Sequence, residues 1–394
     1  MSTFDFETAF PNPAVGREAV QDGPHVRPWV KTFAQPDFCL RNASGSDLPV
    51  FDIEGRLLCR GLIDAHVHVT AAPGAKTMAD MVKLADQQVT LRATYVLREM
   101  LHRGFTTVRD SGGATKFLAD AINEGLIEGP RFNQCGKAFH RRSRREELKQ
   151  GADFIKIMLG GGVASESDAL DTMQYTAEKV QGITTTAWQM DKKLMSIYCC
   201  ISSAMVSFLR GSAADLSQVT ALAHTVEAIN HAINNGVRGI EHGKLLDGSA
   251  DKLMAEKEVY LTPTLRCYGI LVPKPFETFL NQEGRDKRVQ VMQKGLNALK
   301  LAEDAGVTVC YGSDLLLISL HALHTGFLTR SKILPAAAIL RHATVNLAKM
   351  LGQKGKLGVI AEGAIADLLV LSRNPLEDIT VLHRPELCLD AVIK

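Results

Sequence analysis

Short apolar runs and longer amphipathic stretches alternate along this chain from residue 57 onward. Apolar runs that end in polar residues predict buried strands, and stretches with apolar positions three or four residues apart predict helices. One such stretch places Val96, Leu97 and Met100 on a single helical face and stops before Gly104, a residue type that often follows a helix. The pattern therefore predicts a protein built from alternating strands and helices.

Eight strands and the helices around them are assigned in this way. The predicted strands are 57–69, 106–110, 131–135, 153–158, 219–223, 239–242, 259–262 and 307–312. The predicted helices are 93–101, 117–124, 142–150, 177–193, 225–236, 248–258, 287–305 and 335–351. Strands separated by helices pair in parallel through right-handed crossovers, and this number of units favours a (β/α)8 barrel over an open doubly wound sheet. No Gly-x-Gly-x-x-Gly motif follows the first strand, which also argues against a dinucleotide-binding fold.

The C-terminal segment has a different pattern. Residues 355–372 contain short apolar strands bounded by glycines with no helix between them, which predicts a small β module beside the barrel. Residues 1–50 would supply its remaining strands, although they are rich in proline and poorly patterned. We therefore expect an α/β protein, with a (β/α)8 TIM barrel over 57–352 and a β-sandwich module formed by 1–56 and 353–394.

The composition is typical of a soluble globular protein. Hydrophobic residues make up 46% of the 394 residues, charged residues 22%, and the formal net charge is +2. This balance provides no basic surface for nucleic acid or an anionic membrane, so we expect a small-molecule substrate and neither of these partners. A homo-oligomer is left open by the sequence. Eight cysteines without Cys-x-x-Cys spacing predict free thiols in a reducing compartment. The N-terminus has no signal-peptide pattern and the apolar stretch 194–209 is too short to span a bilayer, which predicts a cytoplasmic protein.

The most informative motif is His66-Val67-His68, at the end of the first predicted strand. Side chains two residues apart on a strand emerge on the same face, so both imidazoles point to one side. Imidazole is the commonest protein ligand for transition metals. A lone His-x-His pair often occurs by chance, and the pair gains significance here because later predicted strands also end in potential ligands.

Three further candidates lie on or after predicted strands, whose C-terminal ends form the active-site face of a (β/α)8 barrel. Lys156 lies between apolar residues of the fourth strand, where an ammonium is costly to bury unless it is paired or chemically altered. It is either a salt-bridged lysine or a lysine carbamylated by CO2, an anion able to bridge two metals. His242 ends the sixth strand and is either an ordinary histidine or a ligand. Asp314 follows the eighth strand and is either a helix N-cap or a metal-binding carboxylate.

Together these segments resemble the metal-dependent amidohydrolase superfamily, within the imidazolonepropionase-like branch that includes Xaa-Pro dipeptidases and a fungal ochratoxin-hydrolysing amidase. The similarity covers most of residues 50–394, and the glycine-rich segment around the lysine is quite specific to this branch. The segments that carry the resemblance are RGLIDAHVH (60–68), GFTTVRDSGG (104–113), GADFIKIMLGGGVAS (151–165), GIEHG (239–243), YGSD (311–314) and EGAIADLLVL (362–371).

This resemblance implies a hydrolase of carbon–nitrogen bonds other than peptide bonds, with two divalent metal ions that are usually Zn2+. His66 and His68 would hold one ion together with Asp314, and a carboxylated Lys156 would bridge it to the second. The second ion would also take His242 and a histidine from the fifth strand. A metal-bound hydroxide would attack an amide carbonyl, and Asp314, as the catalytic residue, would pass the proton to the leaving amine.

The fifth strand departs from the family pattern. The family has Val-Thr-Ala-His-Ala there, whereas this chain reads VTALAH (219–224), with Leu222 at the ligand position. His224 lies on the same strand face, about 6–7 Å further along. It either replaces the missing ligand, if the backbone or the second ion moves, or lines the substrate pocket as a substrate-binding residue. Relative to the family, the segment near 194–218 looks inserted and the loop after Cys135 looks shortened.

Three functional hypotheses remain open from the sequence. The strand-end constellation predicts a metal-dependent hydrolase of a small-molecule amide, such as a dipeptide, an N-acyl amino acid or an ochratoxin-like amide. Leu222 and the short loop after Cys135 instead favour a catalytically impaired or non-catalytic relative that keeps the fold. A hydrolase of cyclic amides, such as a lactam or an imidazolone, would use the same chemistry.

Overall fold

The architecture comes from a computed structural model of the chain. It describes these residues: 31–33, 39–40, 50–51, 53, 55–71, 83–136, 148–165, 168–198, 219–270, 280–314 and 323–394. The first three segments and residues 191–198, 268 and 270 are described as backbone only. Most of the predicted helix 142–150, the loop after Gly136 and most of the segment near 194–218 lie outside these residues.

Fourteen strands and eleven α-helices are present in the described part of the chain. The strands are β1 (Lys31–Phe33), β2 (Cys39–Leu40), β3 (Val50–Phe51), β4 (Leu57–Arg60), β5 (Leu62–Val67), β6 (Phe105–Asp110), β7 (Arg131–Gln134), β8 (Ile155–Met158), β9 (Val219–Ala223), β10 (Gly239–His242), β11 (Tyr260–Thr262), β12 (Thr308–Val309), β13 (Leu368–Leu371) and β14 (Leu389–Ile393). The helices are α1 (Asp86–His102), α2 (Lys116–Asn123), α3 (Ala177–Tyr198), α4 (Val226–Asn234), α5 (Gly248–Glu256), α6 (Cys267–Ile270), α7 (Gln282–Asp304), α8 (Thr325–Arg330), α9 (Ala336–His342), α10 (Val345–Met350) and α11 (Pro385–Cys388).

Eight of these strands form two parallel sheets. β5, β6 and β7 are neighbours in one sheet, and β8 to β12 are neighbours in chain order in the other. Helices lie between most consecutive strands, as parallel pairing requires. The predicted α/β class and the parallel pairing are therefore confirmed, and β9 and β10 have the bounds expected from the sequence.

The parallel strands are buried on both faces, but the two faces differ in chemistry. Ile157 and Ile240 are fully buried in the main hydrophobic cluster, which also takes in the apolar sides of the surrounding helices. Their strand neighbours Lys156 and Glu241 are also buried, although they are charged. Because side chains alternate along a strand, the apolar face packs under the helices and the polar face converges on the opposite side of the sheets.

The first predicted strand, 57–69, is wrong in its extent, because it divides into two strands at Gly61. β4 pairs antiparallel with β13, whereas β5 pairs parallel with β6. At the break, Gly61 donates its amide to Asp367 O at 2.7 Å. A Cβ at position 61 would lie 2.7 Å from Thr106 Cγ2 and nearer still to Thr106 Oγ1, so the two chains approach closely only because this residue is glycine.

A separate four-stranded sheet gathers both ends of the described chain, in the order β1, β14, β13, β4. β1 supplies the expected strand from the N-terminal fifty residues, and β13 lies in the expected tail segment. The sequence did not indicate β14, which pairs with both. A second small sheet contains only β2 and β3.

The last predicted helix, 335–351, is in fact two helices, α9 and α10, separated at Ala343 and Thr344. The carbonyls of His342 and Ala343 accept main-chain hydrogen bonds from Tyr311 N at 2.9 Å and Ile63 N at 2.8 Å. Because these carbonyls bond the main chain at β5 and just after β12, they are not available to accept the hydrogen bonds of a continuous helix. The hydrogen bond from Tyr311 N also shortens the predicted strand 307–312 to β12.

The thiol and membrane expectations are tested only within the described residues. The five cysteines assigned there are free: Cys59, Cys135, Cys267, Cys310 and Cys388. None of the described helices combines the length and apolar composition needed to cross a bilayer.

We expect Gly61→Ala to lower the free energy of unfolding by about 1–3 kcal/mol, because the added methyl group overlaps the Thr106 side chain. Urea denaturation of both proteins measures this difference. Gly182→Ala is the matched control, since nothing lies within 4 Å of its Cβ position inside α3. That control should be neutral or stabilising. Equal behaviour of the two variants would contradict the close approach.

Candidate metal centre

His66, His68 and Asp314 meet where β5 and the segment after β12 end. Their ligand atoms all lie within 4.8 Å of one another, and among the described residues this is the only group of three or more such side chains that does so. The Nε2 atoms of both histidines lie 3.5 Å from Asp314 Oδ1. The amide of Asp314 donates to His66 O at 2.7 Å, which holds the loop after β12 against β5.

Hydrogen-bond acceptors behind the two imidazoles determine which nitrogen carries the proton. His66 Nδ1 lies 2.7 Å from Glu241 Oε2, and His68 Nδ1 lies 2.8 Å from Gly112 O. A carboxylate and a carbonyl can only accept, so each Nδ1 must donate. The lone pair of each neutral ring is then on Nε2, directed toward Asp314. Metal-binding histidines usually have this arrangement.

Glu241 on β10 connects this centre to the neighbouring strands. Its Oε1 accepts hydrogen bonds from Arg109 Nη1 at 2.8 Å and Thr220 Oγ1 at 2.6 Å. Arg109 also lies over the Phe154 ring, 3.7 Å from its centroid. Burial opposes ionisation of Glu241, but the charge of Arg109 and the interaction with His66 outweigh it and hold the pKa of this carboxyl well below its usual value. Glu241 is therefore a buried anion with a defined partner for each oxygen.

The backbone at His242 and Asp314 is in the left-handed region, with φ of 74° and 50°. Glu241 and His242 are consecutive and would point to opposite faces of a regular strand. The positive φ of His242 redirects its side chain, so that its Nδ1 lies 2.7 Å from Thr264 Oγ1 and 3.7 Å from Asp314 Oδ2. Histidine and aspartate are among the non-glycine residues that adopt this conformation most readily.

Lys156 on β8 reaches the same centre. Its Nζ lies 3.1 Å from His66 Nε2, and the side chain is buried. Among the residues that the structure describes, no carboxylate lies within ion-pair distance of Lys156. The salt-bridged lysine considered from the sequence therefore has no partner in this part of the chain. The lysine nitrogen instead lies beside the nitrogen that would bind a metal.

The charges at the centre favour the metal-binding forms of its residues. Burial, followed by the charge of Lys156, lowers the pKa of His68 to about 3, so the ring is neutral near pH 7. Burial raises the pKa of Asp314, but its interactions with His66, His68 and Lys156 reverse this effect, and its pKa lies below the usual value. A carboxylate and neutral imidazoles are the forms that bind divalent transition metals.

His224 and Leu222 lie outside the three-residue group. The ring of His224 is fully buried and stacks on that of His242, with centroids 5.0 Å apart and planes at 15°. Neither ring nitrogen of His224 has a hydrogen-bond partner among the described residues. Burial, followed by the charge of Lys244, lowers the pKa of His224 to about 3. Leu222 is also buried, at 5% exposure.

Sequence reasoning missed five residues that shape the centre: Arg109, Thr220, Glu241, Lys244 and Thr264. Glu241 lay inside the GIEHG motif, and its position beside a ligand was the one available signal. Lys244 follows that motif and is buried, with its Nζ donating to Thr264 O at 2.7 Å. Burial lowers the pKa of Lys244 to about 7. Arg109 likewise lies inside GFTTVRDSGG and Thr220 inside VTALAH, whereas Thr264 lies in none of these segments.

The residues of the centre fit a divalent transition metal. Two imidazoles with fixed tautomers and one carboxylate are a common donor set for Zn2+, and such a set leaves coordination positions open. The outer acceptors, Glu241 and Gly112 O, are of the kind that orients metal-binding histidines. His66, His68 and Asp314 would hold such an ion.

Comparison with known proteins agrees with this chemistry. Residues 57–393 match the model of the amidohydrolase family, and this chain belongs to that family.

Relatives and solved structures within the family resemble the chain over most of its length. Ochratoxinase from Aspergillus niger is 27% identical over an alignment of 334 positions that covers 73% of this chain and 64% of ochratoxinase. The chain thus spans a little under two thirds of that relative. A prolidase solved with N-methylphosphonate-L-proline is 34% identical, with a TM-score of 0.76 and coverage of 89% of both chains. A Xaa-Pro dipeptidase with bound methionine is 27% identical, with a TM-score of 0.74 and 89% coverage of both chains.

We expect Glu241→Gln to raise the Kd for Zn2+ about 10–100-fold, because the amide cannot accept from both His66 and Arg109 as the carboxylate does. Competition with a chromogenic chelator measures the Kd. Glu256→Gln is the control, because this glutamate has a side chain 69% exposed on α5. An unchanged Kd in Glu241→Gln, with the fold intact by circular dichroism, would disprove the orienting role.

Proposed function

We propose that this chain is a metal-dependent hydrolase of a carbon–nitrogen amide bond in a small molecule. One observation carries the proposal: His66 and His68 direct fixed Nε2 lone pairs toward Asp314 Oδ1, 3.5 Å from each. Membership of the amidohydrolase family supports the same chemistry.

The donor set suits Zn2+. When bound, this ion would supply Lewis acidity toward the amide carbonyl and make water more acidic. The chain's own residues then have separate tasks. His66 and His68 hold the ion, and Glu241 and Gly112 O keep their tautomers fixed. The Asp314 carboxylate accepts a proton from water and passes it to the leaving amine nitrogen as the carbon–nitrogen bond breaks.

We further propose that the two parallel sheets close into one (β/α)8 barrel. Ala65 N donates to Tyr311 O at 2.8 Å between the first and last strands, and Asp153 N donates to Gln134 O at 2.8 Å between the two sheets. The four-stranded sheet then belongs to a separate β module. Because β4 pairs with β13, the module boundary on the N-terminal side lies at Gly61 rather than at residue 56.

The substrate we propose is an acyclic amide with a free carboxylate, such as a dipeptide or an N-acyl amino acid. The names of the relatives, prolidase, Xaa-Pro dipeptidase and ochratoxinase, support this class. Leu222 supports a second candidate, a relative with impaired catalysis. The third candidate, a hydrolase of cyclic amides, is examined by including cyclic amides among the substrates of the activity test.

We propose that Lys156 is carboxylated by CO2: its neutral amine forms a carbamate and releases one proton. Its buried position beside His66 Nε2 supports this modification. We expect one bound 13C carbamate signal by NMR after incubation with 13C-bicarbonate, and its loss in Lys156→Met. Lys149→Met is the surface control. A signal that persists in Lys156→Met would disprove the modification at this residue.

The activity test uses the full chain loaded with Zn2+, with Xaa-Pro dipeptides, N-acyl amino acids, N-aroyl-phenylalanines and cyclic amides as substrates. We expect release of a free amino acid from the acyclic amides and loss of activity with a chelator. Asp314→Asn should lower kcat about 10²–10⁴-fold, because the amide cannot take up the proton. Asp304→Asn, on the exposed end of α7, should leave kcat unchanged. If the metal-loaded chain hydrolyses nothing in the panel, the impaired relative becomes the better assignment.

A further inference from the structure

The number of ions at this centre is set by the residues that converge there. Among the described residues, only His66, His68 and Asp314 bring three ligand atoms within 4.8 Å of one another. His242 approaches Asp314 Oδ2 at 3.7 Å, but with the Nδ1 atom that already faces Thr264 Oγ1 at 2.7 Å. A carboxylated Lys156 would offer one further oxygen, so even with His242 a second ion would need another ligand from the neighbouring strand β9.

Strand β9 places the apolar side chain of Leu222 on the face that is turned to the metal centre. Thr220 donates a hydrogen bond to Glu241, and Glu241 accepts one from His66. Thr220 therefore lies on the face of β9 that is turned to the centre. Leu222, two residues later, lies on the same face. Its main-chain neighbours are Met158 on β8 and Glu241 on β10. Leu222 is buried and offers no lone pair, so this level of the strand has no metal ligand.

His224, the next residue on that face, belongs to no group of three potential ligand atoms within 4.8 Å of one another among the described residues. Its ring is nearly parallel to that of His242, with planes at 15° and centroids 5.0 Å apart. His224 nonetheless has two buried nitrogens without a partner among the described residues, an arrangement that costs about 1–3 kcal/mol unless a ligand or water fills it.

We propose that this chain holds a single divalent ion, bound by His66, His68 and Asp314, and that the His224 ring, whose nitrogens have no partner among the described residues, hydrogen-bonds the substrate. This inference rests on the proposed metal-dependent function. It replaces the two-ion centre expected from the family resemblance. Leu222 takes the place of the second ion's ligand, and His224 becomes a substrate-binding residue.

Metal counting on the full-length chain tests the proposal. After dialysis against excess Zn2+ and removal of loosely bound metal, we expect one Zn2+ per chain by mass spectrometry. Leu222→His should raise the count to two, because it restores an imidazole on the inward face of β9. Leu222→Phe, the matched control without a ligand, should remain at one. His224→Ala should also remain at one, while His68→Ala should fall well below one.

Cobalt provides a second readout that does not require activity. The Co2+-loaded parent should give the electron paramagnetic resonance spectrum of an isolated high-spin ion, and Leu222→His should give a spin-coupled pair. If the proposal is correct, His224→Ala should raise KM at least about fivefold and change kcat less. A factor of about five in KM corresponds to the loss of about one hydrogen bond to the substrate.

The outcomes separate this inference from the proposed function. Two ions in the parent, or a lower count in His224→Ala, would overturn the single-ion centre but leave a hydrolase intact. One ion with no hydrolysis of any substrate would keep the inference and remove the proposed function. No bound ion in the parent would overturn both. Because the parent's count decides by itself, a Leu222→His protein that does not fold leaves the test valid.

Discussion

The buried carboxylate of Glu241 is the interaction on which both the centre and the packing around it depend. It accepts hydrogen bonds from Arg109 on β6, Thr220 on β9 and His66 on β5, and so joins strands of both parallel sheets. A buried carboxylate without partners costs several kcal/mol, and charge-assisted hydrogen bonds offset that cost. Since Arg109 and Thr220 occupy one oxygen, the other is left for His66. The same contacts therefore stabilise the strands and fix the nitrogen of His66 that would bind a metal.

The elements that sequence predicts best are those whose signals are local. β9 and β10 have the predicted bounds, and Thr225 caps α4 by accepting from Ala228 N, as its position indicated. The break at Gly61 could not be predicted, because it depends on the pairing of β4 with β13, far away in the chain. The separation of α9 from α10 has the same origin, since distant strands bond the carbonyls at the break.

The candidate site shows the same division between local and long-range information. His66, His68, Lys156 and Asp314 were predicted to meet because parallel strands end at one edge, and the structure brings them together. Glu241 was missed because regular alternation lets only one of two consecutive residues face the centre. That rule fails where the backbone of His242 changes conformation. Leu222 was visible in the sequence, but its consequence depends on which potential ligand atoms converge around it, and only coordinates reveal that.

The left-handed backbone at His242 and Asp314 divides the residues of the centre into two kinds. At 66 and 68, a replacement changes the chemical group and its hydrogen bonds without straining the main chain. At 242 and 314, a β-branched replacement also disfavours the main-chain conformation, at a cost of about 1–3 kcal/mol. Asparagine tolerates that conformation as readily as aspartate, so it removes the charge without moving the loop. Substitutions at these two sites thus report on chain geometry as well as on ligation, and only isosteric ones separate the two effects.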